Sequence, residues 1–134
     1  MAEMFIEEDG ILRIKILEGA HVTIQKSKKY FETSKQLLGS KKALILVDGS
    51  AKFTITKEAK MYGVGKEVAE NRIAVAFVTN SLVNNVMVNC YIKLYKPVVP
   101  TQLFSSEENA LKWLKTFFVM PGDEYLRPKK KSRK

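Results

Sequence analysis

The chain has 134 residues, 46% of them hydrophobic and 28% charged, with a formal net charge of +9. This length makes one domain able to bury a sizeable core, and a single cysteine excludes an intramolecular disulfide framework. No apolar run approaches the roughly 20 residues of a membrane-spanning helix, and "MAEMFIEEDG" is acidic where a secretory leader would be basic, so a soluble, cytoplasmic protein is expected.

The positive charge is unevenly placed. Arg127, Lys129, Lys130, Lys131, Arg133 and Lys134 lie in "RPKKKSRK"; without these six, 17 of the 23 basic residues face 14 acidic ones, a net +3. The expected division is therefore one domain over residues 1–120 and a disordered basic tail over 121–134. Such a tail serves as a solvated, solubilising end. It also fits a weak, salt-sensitive contact to nucleic acid or an anionic surface, or, in a eukaryote, an import peptide.

In chain order, "MFIEEDGILRIKILEG" reads as two strands around an Asp-Gly turn, with Leu12, Ile14 and Ile16 alternating with Arg13 and Lys15. A helix follows from Thr23, its N-cap, to a stop at Gly39, with Ile24, Phe31 and Leu38 on one side beside Ser27, Tyr30, Ser34 and Leu37. "ALILVDG" is a strand covered on both faces. A second helix is expected over about Thr56–Glu70, capped by Thr56, with Ala59, Met61, Val64 and Val68 apolar; Gly63 and Gly65 weaken it.

"RIAVAFVTN" is another doubly covered strand. In "SLVNNVMVNCYIKLYK" the stripe Val83, Val86, Met87, Cys90 and Leu94 is expected to be buried, with Asn85, Asn89, Lys93 and Lys96 facing away, and Pro97 ends the helix. "VPTQLF" gives a short strand and "SSEENALKWLKTFF" the last helix, where Ser105 and Glu108 have capping-box spacing and Ala110, Leu111, Leu114, Phe117 and Phe118 form the buried face. The order β-β-α-β-α-β-α-β-α makes an α/β fold on a largely parallel or mixed sheet.

The chemistry-bearing residues are few. One histidine and one cysteine cannot build a zinc site on nitrogen and sulfur ligands, so no metal or other cofactor is implied. His21 reads as a surface or capping residue, and Cys90 as a small buried hydrophobe. No paired carboxylates sit at strand ends, and Gly63-Val64-Gly65-Lys66 lacks the spacing of a phosphate loop. The basic face of the first helix (Lys26, Lys28, Lys29, Lys35) lacks the aromatic interleaving of a single-strand binder. An enzyme is not expected.

The loop after Asp48 stands apart. Ligands of such sheets bind beyond the strands' carboxyl ends, and Asp48, Gly49, Ser50, Thr54 and Thr56 fall there, as do Thr79, Asn80 and Ser81. Turn and capping roles alone also account for these residue types.

From "GILRIKILEG" through "ALILVDGSAKF" and "RIAVAFVTNS" to "LFSSEENALKWL", the sequence resembles the SpoIIAA-like proteins of the STAS superfamily, whose fold type is shared with the lipid-binding CRAL-TRIO domains. The closing Phe-x-x-x-x-x-Ala-x-x-Trp-Leu helix is the most specific piece, and the resemblance runs from about Phe5 to Phe118. It implies a single mixed, mostly parallel sheet of four to five strands, with about four helices packed mainly on one face. In the anti-sigma-factor antagonists of that superfamily, a serine at a helix start is phosphorylated. Aligned on Asp48 and Phe53, this chain has Ile55 and Thr56 where that motif has Asp and Ser, Lys57 at the phospho-acceptor and Glu58 at the glycine. The switch motif is absent, although Thr54 and Thr56 carry hydroxyls nearby.

The resemblance implies a non-enzymatic STAS-like protein-interaction module, in a bacterial regulatory circuit, that meets a protein partner through Asp48, Ser50, Phe53, Thr54, Thr56, Lys57 and Met61. The CRAL-TRIO kinship implies the alternative, a small-molecule or lipid carrier with an apolar cavity between the sheet and the second and third helices. A homodimer fits either reading.

Overall fold

In a computed structural model, which describes residues 2–118, the chain opens with the hairpin that its Asp-Gly turn predicts. Strands β1 (Ala2–Ile6) and β2 (Leu12–Ile16) pair antiparallel. Gly10 takes the left-handed conformation at φ 80°, which a residue with a Cβ adopts only at a cost. The Asp9 carboxylate accepts the Ile11 N–H at 3.0 Å and both guanidinium arms of Arg13 at 2.9 and 3.0 Å. A planar fork on a carboxylate fixes direction as well as distance, so this pair holds the turn against the strand.

Strands β4 (Ala43–Asp48), β6 (Arg72–Val78) and β7 (Thr101–Phe104) then add in parallel to β2, giving the order β1-β2-β4-β6-β7. The central β4 is buried from Ala43 to Val47, as its unbroken apolar run requires. Between the strands run helices α1 (Ile24–Leu38), α2 (Lys57–Gly63), α3 (Lys66–Ala69) and α4 (Leu82–Tyr95), and α5 (Glu107–Lys115) follows β7. Two three-residue strands, β3 (Ala20–Val22) and β5 (Phe53–Ile55), pair in parallel as a separate ribbon.

The sheet has two unequal faces. Among the described residues, α5 alone lies beneath one, its Ala110 and Leu114 fully buried against Leu44, Leu46, Ala74 and Ala76. Trp113 joins this layer, 5.6 Å from the Phe104 ring and 4.9 Å from that of Phe117. The opposite face, built from Leu12, Ile45, Val47, Val75 and Phe77, carries α1, α2, α3 and α4. This is the mixed α/β sheet with helices mainly on one face that the sequence implies.

Thr23 caps α1 and Thr56 caps α2, each hydroxyl accepting an N–H three residues on, and Gly39 ends α1 at φ 66°. Several local expectations are corrected. The second helix breaks at Val64-Gly65 into α2 and α3, where two glycines leave too little helical preference to cross. The cap of α5 is Ser106, whose hydroxyl accepts from the Asn109 N–H, in place of the Ser105–Glu108 box. On α1, Leu37 faces solvent.

The largest correction concerns α4. Most of its expected buried stripe is exposed: Val83 is 77% accessible, Val86 63% and Leu94 75%, and Cys90 lies at the surface, while Met87 of the same stripe is half-buried. The face turned inward carries Asn84, Val88 and Tyr91. Both faces of this helix are apolar, so periodicity alone could not choose between them. The basic tail, expected over 121–134, lies outside the described residues.

Candidate functional site

Between the upper face of the sheet and helices α1, α2 and α4 lies a cavity of about 160 Å³. Its walls are mostly apolar: Ile14, Ile45 and Phe77 from the sheet, Phe31 from α1, Met87 from α4, and Phe53 from the ribbon. The ribbon explains why the space is roofed. Pairing Val22 with Ile55, and passing the Thr56 N–H to the Val22 carbonyl at 3.0 Å, brings the approaches to α1 and α2 together over the strand ends. Short helices and a three-residue ribbon supply fewer large side chains than a continuous helix layer, and the space is left between them.

One end of this cavity is polar. On α1, Tyr30 and Ser34 are one turn apart and both line it. The Ser34 hydroxyl donates to the Phe31 carbonyl at 2.6 Å and accepts from Asn71 Nδ2 at 3.0 Å. Asn71 Oδ1 and the Tyr30 hydroxyl are buried without a hydrogen-bond partner among the described residues. Orphaned polar atoms of this kind are rare, because burying one unpaired costs about 1–3 kcal/mol.

Arg72 lines the same cavity, and a fault in the sheet puts it there. The pairing of β4 with β6 shifts register between Ala43 and Leu44, so that Ala43 faces Arg72 while Leu44 faces Ala74. The extra residue, Ile73, packs with the α5 layer. Strict alternation from Phe77 and Val75 would place Ile73 in the cavity and Arg72 below the sheet. The bulge exchanges them, a recognised way of re-aiming a side chain.

The electrostatics at this end are one-sided. Arg72 keeps some residue surface, yet its guanidinium lies deep enough for burial to push its pKa down, opposed by the Tyr91 and Tyr62 phenols. None of the ion pairs among the described residues involves Arg72. Burial also raises Tyr30, and takes Tyr91 up to about 12 against the pull of Arg72, so both phenols stay protonated at neutral pH. Gly63 belongs to the same corner: a Cβ there would meet the Tyr91 hydroxyl at 3.0 Å, so any other residue would displace the phenol.

The residues singled out from sequence are distributed differently. Asp48 ends β4, and its carboxylate accepts the Ser50 N–H at 3.1 Å, a turn-closing contact. Asn84 of α4 secures the same loop, donating from Nδ2 to the Gly49 carbonyl at 2.6 Å and to the Ala51 carbonyl at 2.8 Å. Phe53 lines the cavity. Thr54 is exposed, with its hydroxyl 2.6 Å from His21 Nδ1. Thr56 is held as the α2 cap, Lys57 is exposed, and Met61 is 55% accessible, while Tyr62 turns into the cavity. The predicted residues thus take turn, ribbon and capping roles along one stretch of chain, and of them Phe53 lines the cavity. Sequence reasoning missed Arg72, Asn71, Tyr30 and Tyr91. The sole available signal was an arginine and an asparagine opening the apolar run "RIAVAFV".

One solved structure agrees with this architecture. A family model described as a domain of unknown function, DUF7793, matches residues 4–118. The chain belongs to that family. An uncharacterised protein of the DUF3478 family from Shewanella loihica PV-4, with a SpoIIAA-like fold, superposes with a TM-score of 0.60 at 15% identity, over 85% of this chain and 92% of that one. The fold is therefore SpoIIAA-like. A protein of unknown function from Arthrobacter sp. FB24 is 25% identical over 84% of this chain and 98% of that one, with a TM-score of 0.34. No curated protein matches. No helix among the described residues is long and apolar enough to cross a membrane.

Proposed function

We propose that this protein is a non-enzymatic binding module that takes a small apolar molecule between its sheet and helices α1, α2 and α4. The observation that supports this most is the cavity of about 160 Å³ itself. Filled cores leave few voids larger than a water, and an apolar void of about 150 Å³ is known to stay dry and accept benzene. The walls are ordered by β-pairing and by two capped helices, so the space is built before a ligand arrives.

The test is a titration with benzyl alcohol, followed by the methyl resonances of Ile14 and Met87, together with native mass spectrometry of the purified protein. Saturable shifts at both methyls are the expected result, and Ala59→Leu, which fills part of the space, is expected to abolish them while circular dichroism stays native. An absence of shifts together with no co-purified small molecule would overturn the proposal.

A second reading, contact with another protein, has its own support. Of the eight large hydrophobic residues exposed among the described ones, Leu82, Val83, Val86, Leu94 and Val98 lie on or just after α4. The partner we name is a second copy of the chain. From Leu82 to Ile92 the helix carries no charge to repel its own copy, and antiparallel pairing would set each helix's positive end against the other's negative end. Light scattering is expected to give twice the 15.2 kDa of one chain. A monomer at high micromolar concentration would remove this reading and leave the first untouched.

A further inference from the structure

We infer that the molecule held in this cavity is a small apolar acid, whose carboxylate is taken by Arg72. The inference rests on the cavity reading above and adds the ligand's charge.

Four observations converge on it. The lining contains two cationic residues, Arg72 and Lys60, and no aspartate or glutamate. Arg72 has no ion-pair partner among the described residues, although an unpaired buried charge is among the most costly features a fold can carry. The titratable groups that act on Arg72 are the Tyr91 and Tyr62 phenols, both of which stay protonated near pH 7. Finally, Tyr30 lines the same space, and its buried hydroxyl has no partner among the described residues.

A carboxylate answers these needs together. It accepts both arms of a guanidinium and brings a buried cation its counter-charge. The apolar portion then packs on the apolar lining, which includes Ile14, Phe53 and Met87. A volume of about 160 Å³ suits a benzene-sized ring or a short branched chain. The bulge that turns Arg72 inward is the structural device behind this selectivity, since regular pairing would line the same wall with Ile73.

The experiment compares benzoate with benzyl alcohol, equal in size and different in charge, by calorimetry on the full chain at neutral pH. Wild-type protein is expected to bind benzoate at least tenfold more tightly. In Arg72→Met that preference is expected to vanish with benzyl alcohol affinity retained, and Arg72→Lys is expected to keep part of it. If the wild type binds benzyl alcohol as tightly as benzoate, the acid inference is overturned and the apolar-ligand reading stands. If it binds neither, both fall. Should Arg72→Met fail to fold, the wild-type comparison decides the matter without it.

Discussion

Asn84 donates from Nδ2 to the Gly49 carbonyl at 2.6 Å, and so fastens the start of α4 to the loop that follows β4. The same amide reaches the Ala51 carbonyl, so a single buried side chain, 5% accessible, satisfies two backbone acceptors. Asn84→Ala leaves both carbonyls short of a donor and is expected to destabilise the fold by about 2–3 kcal/mol. Asn84→Asp, which sets an acceptor against acceptors, is expected to cost at least as much. Urea unfolding of the three proteins checks both.

The hairpin predicts an acid-dependent loss. Burial pushes the Asp9 carboxyl up, but the hydrogen bonds from Arg13 and the Ile11 N–H, with the charges of Arg13 and Lys115, outweigh it and hold the pKa below the ordinary 3.8. A depressed carboxyl contributes stability that is complete above its unfolded value and is lost as pH falls through the folded one. Asp9→Asn is therefore expected to be less stable than wild type at pH 7, with the gap closing below pH 3.8. Thermal unfolding at a series of pH values measures it.

At the alkaline end the sign reverses. Burial raises Tyr91 to about 12, with Arg72 lowering it and Tyr95 adding to the rise. The unfolded chain releases this proton near the ordinary 10.0 while the folded chain keeps it, so the contribution is complete below pH 10 and declines as pH rises toward 12. Tyr91→Phe is expected to flatten that part of the alkaline decline. In a phenolate absorbance titration, the last tyrosine to ionise should be missing from the variant.

Gly39 gives a purely conformational prediction. It ends α1 at φ 66° and ψ −131°, where residues with a Cβ are strained, and a Cβ placed there would touch nothing within 4 Å. Gly39→Ala should cost about 1–3 kcal/mol from backbone strain alone, with no change in packing. Chemical denaturation reads the difference, and methyl spectra of Leu38 should stay native.

Much of the architecture was legible in the sequence, because each large element had one decisive local cause. The Asp-Gly turn, the unbroken apolar run of β4 and the Thr23, Thr56 and Gly39 caps all speak through a few adjacent residues. What could not be read depends on partners distant in sequence. The ribbon of β3 and β5 is three residues on each side, too short for any periodicity. In α4, Val83 and Val88 are equally apolar, and only the sheet decides which faces inward. The polar end of the cavity was hidden for a stronger reason: a one-residue slip between Ala43 and Leu44 reverses the facing of Arg72, and a slip in pairing leaves no mark on either strand alone.

The break at Val64-Gly65 has a consequence for motion. It divides one wall of the cavity into a helix of seven residues and another of four, and isolated helices shorter than ~12 residues do not persist in water. These two are held by what they pack on, chiefly through Ala59 and Val68, each 2% accessible. Their amides should therefore exchange with deuterium through local opening, well before those of β4 and β6 at the sheet's centre. A molecule could pass through that opening while the five-stranded sheet stays intact, so exchange of ligand would be set by the lifetime of one short wall and not by that of the fold.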